Sequence, residues 1–355
     1  MAAFHAPSLR QGVKPTPVGT TVPSAPPITA TPTLPSTTLP STTLPSTTLP
    51  SNSGPPTTAT PKPTAAFPIR AAFYYPWFPE HWASDGRLDT LFWPLLGLYN
   101  SSNQPTISTH IQQMLYGHIN VGIASWWSKG SPGDQRMPAL LQAAHGTPFK
   151  WTIYYDSEAF LNNSEATVHD NLLYIQKQYA NDPNYLKIDG KMVVFVYTSW
   201  SQDCSVVDKY RQANVGINAY LNFNIVPNWQ QCANQPDSWH TYNPTLRETS
   251  NPHLVNGKWV TDGFTISPGF SPYYNSAVCT DAMVSTTHCL PRNPSAWSQD
   301  IANMQQSGAK WQLITTFNEW NEGTSIEPSA NWTSTSGKGT YLDALAAAPP
   351  PRTGP

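Results

Sequence analysis

Glu319 and Glu322 stand three positions apart in a short segment whose other members include Phe317, Trp320 and Ile326. That spacing on a turn brings their Cβ atoms to about 5–6 Å. Two carboxyl groups so close do not both ionise readily, so one is expected to keep its proton well above the usual range. A protonated acid beside an ionised partner can do general acid–base work, and cleavage of a glycosidic bond needs such a pair. Glu327 follows five residues later. A pair on one loop is awkward for a double displacement, in which acid and nucleophile flank the sugar. Asp156 or Glu158, distant in the chain, would supply an opposing carboxylate.

Such a pair needs a scaffold. Runs of apolar, β-branched or aromatic residues of strand length occur at 70–75, 121–126, 150–155, 192–197, 220–226, 239–242 (weakly), 263–267 and 311–317. Between several of them lie helical patterns: Ile107, Ile111, Met114 and Leu115 share one face, Leu172, Leu173 and Ile175 belong to another, and a third opens at Pro294 and runs to about Gln306. Near-continuous apolar strands alternating with helices imply a parallel sheet. Eight in under 290 residues imply an α/β fold closed as a (β/α)₈ TIM barrel. The residues just past each strand then line one rim. They include Tyr75 and Trp77, Trp126 and Trp127, Asp156, Trp200, Trp229, Asn318 and Trp320. Flat rings with polar handles suit the C–H faces and hydroxyl edges of a sugar, whereas a phosphate would call for Arg, Lys or a glycine-rich nest.

Only 40 of the 355 residues are charged and the net charge is −2, which leaves no basic stripe for nucleic acid. No run of about 18 apolar residues suggests a membrane-inserted helix. No dinucleotide or P-loop fingerprint and no zinc-ligand spacing is present, so neither a cofactor nor a metal is expected. Residues 1–68 hold 16 of the 37 prolines, no acidic residue, and three LPSTT pentads from Leu34. Too little of this stretch is apolar to offset chain entropy, so a disordered Pro/Thr/Ser-rich linker precedes a barrel spanning 69–345, and 346–355 form a Pro-rich tail. Cys204, Cys232, Cys279 and Cys289 allow three pairings, which the sequence leaves open. A stalk and disulfides together point to a secreted or cell-surface monomer, although Met1–Arg10 lack the apolar core of a secretory leader. The partner expected is an oligo- or polysaccharide. A non-catalytic carbohydrate-binding barrel displayed on its stalk is the alternative to an enzyme.

Several segments carry a resemblance: Phe73–Trp77 (FYYPW), Trp126-Trp127, Ile153–Tyr155, and above all Thr316–Pro328 (TFNEWNEGTSIEP). Together they resemble glycoside hydrolase family 99, which contains endo-α-mannosidases and endo-α-1,2-mannanases. The resemblance runs from about Arg70 to Pro328 and implies a (β/α)₈ barrel. It also implies a mechanism without an enzyme nucleophile. Glu319 would act as base on the substrate's own 2-hydroxyl, giving a 1,2-anhydro sugar. Glu322 would protonate the leaving oxygen and then activate water, with net retention. It further implies sugar contacts from Tyr75, Trp126 and the segment Tyr155–Asp156, beside which Trp77, Trp127, Asn318, Trp320 and Glu327 are expected to bind substrate as well. The domain is shorter than mannosidase members of the family, and Asp156 stands where its pattern leads one to expect Glu.

Overall fold

The structure is a computed structural model and describes residues 66–351. The linker expected over 1–68 and the end of the tail therefore fall almost wholly outside the described residues. Eight strands form the barrel: β1 (Ile69–Tyr74), β2 (Val121–Trp126), β3 (Lys150–Tyr155), β4 (Lys191–Val196), β5 (Tyr220–Asn224), β6 (Ser238–His240), β7 (Lys258–Ile266) and β8 (Trp311–Ile314). All neighbours from β1 to β6 pair in parallel, β8 pairs with β1, and the end of β7 pairs with β8. Between β6 and β7 closure is nearly complete without a ladder. The Trp239 N–H donates to Asp262 Oδ2 (3.2 Å) and the Thr265 hydroxyl to the Thr241 carbonyl (2.7 Å). β7 also pairs antiparallel along its whole length, Lys258–Ile266, with Glu248–Val255, a strand whose Pro252 and mixed polarity hid it from sequence pattern.

Helices α1 (Gln104–Tyr116), α2 (Pro132–Ala144), α3 (Glu165–Gln178), α4 (Ser205–Ala213), α5 (Pro294–Gln306) and α6 (Thr340–Ala347) pack outside. α1, α3 and α5 lie where the periodicity put them, and α1 buries Ile107, Ile111 and Met114. α2 carries an internal proline, Pro138, which obscured its pattern. Pro138 has no N–H to offer the Asp134 carbonyl one turn earlier, and the Tyr179 hydroxyl donates to that carbonyl instead (3.2 Å).

Strand alternation divides the core in two. One face of the strands points into the barrel: Phe73, Ile123, Tyr154, Val193, Phe195, Trp311 and Leu313 fill its interior. The other face, with Tyr74, Trp126, Ile153, Tyr155 and Val194, packs on Ile107, Met114, Leu140, Leu172 and Ile175 of the helices. The barrel is thus plugged by side chains, and a ligand can meet it only at the rim. Disulfides join Cys204 to Cys232 and Cys279 to Cys289. The first ties the start of α4 to the loop after β5, and the second closes a loop between β7 and α5.

Candidate active site

The loop leaving β8 is tied down almost residue by residue. The Phe317 N–H donates to the Phe73 carbonyl (2.8 Å), and Thr316 and Thr324 bond to each other through backbone (3.1 Å) and hydroxyls (2.9 Å). The Thr316 hydroxyl also receives the Glu319 N–H (2.8 Å). Gly323 turns the chain with φ +63°. A Cβ there would stand 2.6 Å from the Ser271 carbonyl oxygen and 2.9 Å from the Phe92 ring, so only glycine fits between Glu322 and Thr324. Arg292 donates to the carbonyls of Gly323 (2.9 Å) and Ser325 (2.7 Å), and its guanidinium lies 3.9 Å from the Trp332 ring centroid. The two glutamates therefore ride on a rigid turn.

Both carboxyls bind protons more tightly than usual. Burial raises Glu319 well above the ordinary carboxylate range; the charges of Glu322 and Asp156 add to this, and backbone N–H groups of Asn321 and Glu322 oppose it. Glu319 Oε2 is buried without a hydrogen-bond partner. Glu322 is only partly covered at the mouth, yet loss of solvent pushes it to about 7 against the lowering effect of the Tyr242 hydroxyl, which donates to its Oε2 (3.0 Å). That hydroxyl in turn receives the Tyr75 hydroxyl (3.0 Å). Asp156 is buried across the mouth. Burial and the Glu322 charge raise its carboxyl well above the ordinary range, while the Ser125 hydroxyl donates to its Oδ2 and pulls the other way. Three acidic groups thus face one another in a space with no cation among the causes that set their proton affinity.

One consequence is measurable. The Tyr242 hydroxyl stabilises the Glu322 anion, so Tyr242→Phe is expected to raise the proton affinity of Glu322. If Glu322 must be protonated to act, the alkaline limb of the rate profile then moves to higher pH. A kcat-against-pH series of both proteins checks this, and an unmoved or lowered limb would contradict it.

The structure gathers Tyr75, Asp156, Glu319 and Glu322 at the mouth. Trp77 lies beside Tyr75 (4.6 Å between ring centroids) and stacks on His81 (4.7 Å), with its indole N–H buried and unpartnered. Trp127 stacks on Phe160 near Tyr197, one ring further out. Trp126 and Tyr155 do not reach the mouth. They lie one residue out of phase with the inward face, so the Trp126 indole donates to Asp134 (2.8 Å) and the Tyr155 hydroxyl receives Asn171 (2.5 Å) in the helix layer. Asn318 is fully buried and clamps Tyr75: its Oδ1 accepts the Tyr75 N–H (2.7 Å) and its Nδ2 donates to the Tyr75 carbonyl (3.1 Å). Trp320 and Glu327 are also fully buried, beneath the loop. The Glu327 carboxylate receives Tyr99 (2.8 Å) and Trp320 (3.0 Å) and pairs with His110 (3.1 Å). Glu158 is buried against Lys209 (2.6 Å) and Tyr210 (3.2 Å) and faces away from the pair. The sequence reading missed Ser125, Tyr154, Tyr197 and Tyr242. All four lie on the inward parity, and counting by twos within each strand, from Ile123, Asp156, Phe195 and His240, would have found them. Among the described residues no group of three His, Cys, Asp or Glu side chains is arranged to hold a metal ion, and no helix is long and apolar enough to cross a membrane.

The model of glycosyl hydrolase family 99 matches residues 71–216, from β1 to just past α4. The resemblance is to glycoside hydrolase family 99. The solved family 99 endo-α-mannosidase of Bacteroides thetaiotaomicron superposes with a TM-score of 0.61 at 20% identity, covering 80% of this chain and 97% of that one, so the two share the barrel fold. Curated relatives include the glycoprotein endo-α-1,2-mannosidase of Rattus norvegicus, 27% identical over 169 residues, and the glycoprotein endo-α-1,2-mannosidase-like protein of Homo sapiens, 26% identical over 124 residues. These matches cover 36% and 32% of this chain and span only 36% and 27% of the relatives' own lengths. The family 99 match ends before β5. The roles of Glu319 and Glu322 therefore rest on the geometry and motif of the β8 loop.

Proposed function

We propose that this chain is a retaining, endo-acting glycoside hydrolase of α-mannosides. The observation that carries this reading is the buried Glu319–Glu322 pair, with Asp156 opposite, on a rim of tyrosines and tryptophans. Burial keeps at least one proton on the pair near neutral pH. A sugar 2-hydroxyl donating to the unpartnered Glu319 Oε2 stabilises the Glu319 anion, which leaves the shared proton on Glu322, the more open member. Glu319 then takes the 2-hydroxyl proton as that oxygen attacks the anomeric carbon, and Glu322 gives its proton to the departing glycosidic oxygen. Water, deprotonated by Glu322, opens the 1,2-anhydro ring, and Glu319 returns its proton to O2. Two inversions give net retention, and no enzyme carboxylate needs to reach the opposite face of the sugar. The aromatic rim supports a neutral glycan as ligand. Two disulfides fit a secretory-pathway or extracellular protein, and we place it outside the cell or at its surface.

The test is incubation with α-mannans of defined linkage and with α-glucans, followed by mass analysis and NMR of the first-formed anomer. Oligosaccharides released from α-mannan as the α-anomer are expected. Release of monosaccharide alone, a β-anomer first, or saturable binding without product would each overturn the reading.

A further inference from the structure

Residues 75–103 leave the C-terminal end of β1 and lie on the catalytic face. This stretch buries Phe78, Trp82, Phe92 and Tyr99 but displays Leu88, Trp93, Leu95, Leu96 and Leu98, each 42–52% exposed. No charged residue occurs from Thr90 to Asn103. Together the five side chains present roughly 400–500 Å² of apolar surface, the size of the largest patch on a typical monomer, which is often a functional one. The shelf is held in place. The Leu95 N–H donates to the Pro328 carbonyl (2.8 Å), the Trp93 N–H to Asn331 Oδ1 (3.0 Å), and the Ser329 hydroxyl to the Trp93 carbonyl (2.6 Å). It also adjoins the carboxylate loop: Gly323 follows Glu322, the Phe92 ring packs on Gly323, and Trp93 follows Phe92.

We propose that this shelf receives a hydrophobic chain attached to the glycan, so that the preferred substrates are amphiphilic α-mannosides of glycolipid type. This rests on the hydrolase reading above. Other occupants fit less well. A second copy of the chain would need about 800 Å² from each partner, well beyond the shelf. Residues 1–65 are dominated by Pro, Thr and Ser, a composition that suits solvent better than an apolar shelf. A bare membrane surface would favour Lys or Arg among the leucines, and the stretch from Leu88 to Asn103 has none.

The experiment compares the methyl and dodecyl glycosides of one α-mannooligosaccharide below the micelle concentration. The readout is the ratio of their kcat/KM values, in wild type, in the double variant Leu95→Ser/Leu96→Ser, and in Trp93→Ala. The wild type is expected to favour the dodecyl glycoside by about tenfold or more, and both variants to bring the ratio toward one. A wild-type ratio of one, or a ratio that survives in both variants, overturns the proposal. If neither glycoside is cleaved the hydrolase reading fails, and calorimetric titration decides the shelf: tighter dodecyl binding that the variants lose supports it, and equal binding overturns it. A dimer that the double variant dissociates, or binding to glycan-free phosphatidylcholine vesicles, would also overturn it.

Discussion

Glu322→Gln is expected to lower kcat by about 10²–10⁴-fold while oligosaccharide binding changes far less. The amide occupies the same space and still accepts the Tyr242 hydroxyl through its oxygen, so the turn and the rim stay in place. It has no proton to give a leaving sugar oxygen. A substrate whose aglycone departs without protonation, such as an activated aryl glycoside, is then expected to recover much of the lost rate in the first step. Glu319→Gln is expected to show no such recovery, because the 2-hydroxyl would have lost its base. The pH profile separates the two in another way. With Glu322 raised to about 7, the wild-type rate falls as pH rises through that region and the acid is lost. Glu322→Gln is expected to abolish that limb, and Tyr242→Phe only to move it. Full activity of both Glu→Gln variants would sink the mechanism.

The barrel was legible because most of its strands are continuous apolar runs. Strands such as Met192–Val196 read as strands without help from their neighbours, and their spacing left room for helices between them. α2 was lost to Pro138, whose cost is met by a distant tyrosine that no local pattern reveals. The site was legible where chemistry is local in sequence, as in Glu319 and Glu322. It was misread where a single residue of phase matters. Trp126 and Trp127, or Tyr154 and Tyr155, are equally aromatic, but alternation sends one to the interior or rim and the other to the helices. The block from Thr316 to Pro328 likewise mixes residues that face the mouth with residues that hold the turn from beneath, and only contacts distinguish them. Tyr242 ends the weakest strand signal of the eight, so nothing in its neighbourhood marked it as the donor to Glu322.

Glu327 shows what that second group does. Replacing it by leucine is expected to cost about 3–5 kcal/mol, since it takes away the buried carboxyl that His110, Tyr99 and Trp320 share and leaves these three polar groups facing an apolar side chain. A thermal midpoint lower by roughly 6–20 °C follows. The damage should also reach the mouth. Tyr99, held by Glu327, accepts the Asn318 amide (3.2 Å), Asn318 grips both backbone polar groups of Tyr75, and the Tyr75 hydroxyl leads through Tyr242 to Glu322. Glu327→Gln keeps an acceptor for Tyr99 and Trp320, so it is expected to restore most of the stability. It should also retain the alkaline limb that Glu322→Gln loses, because its carboxyl holds the turn and transfers no proton. A Glu327→Gln protein that folds as well as wild type but has lost that limb would move Glu327 from the scaffold into the chemistry. Recovery of both stability and pH profile by glutamine, and of neither by leucine, is the outcome the geometry requires.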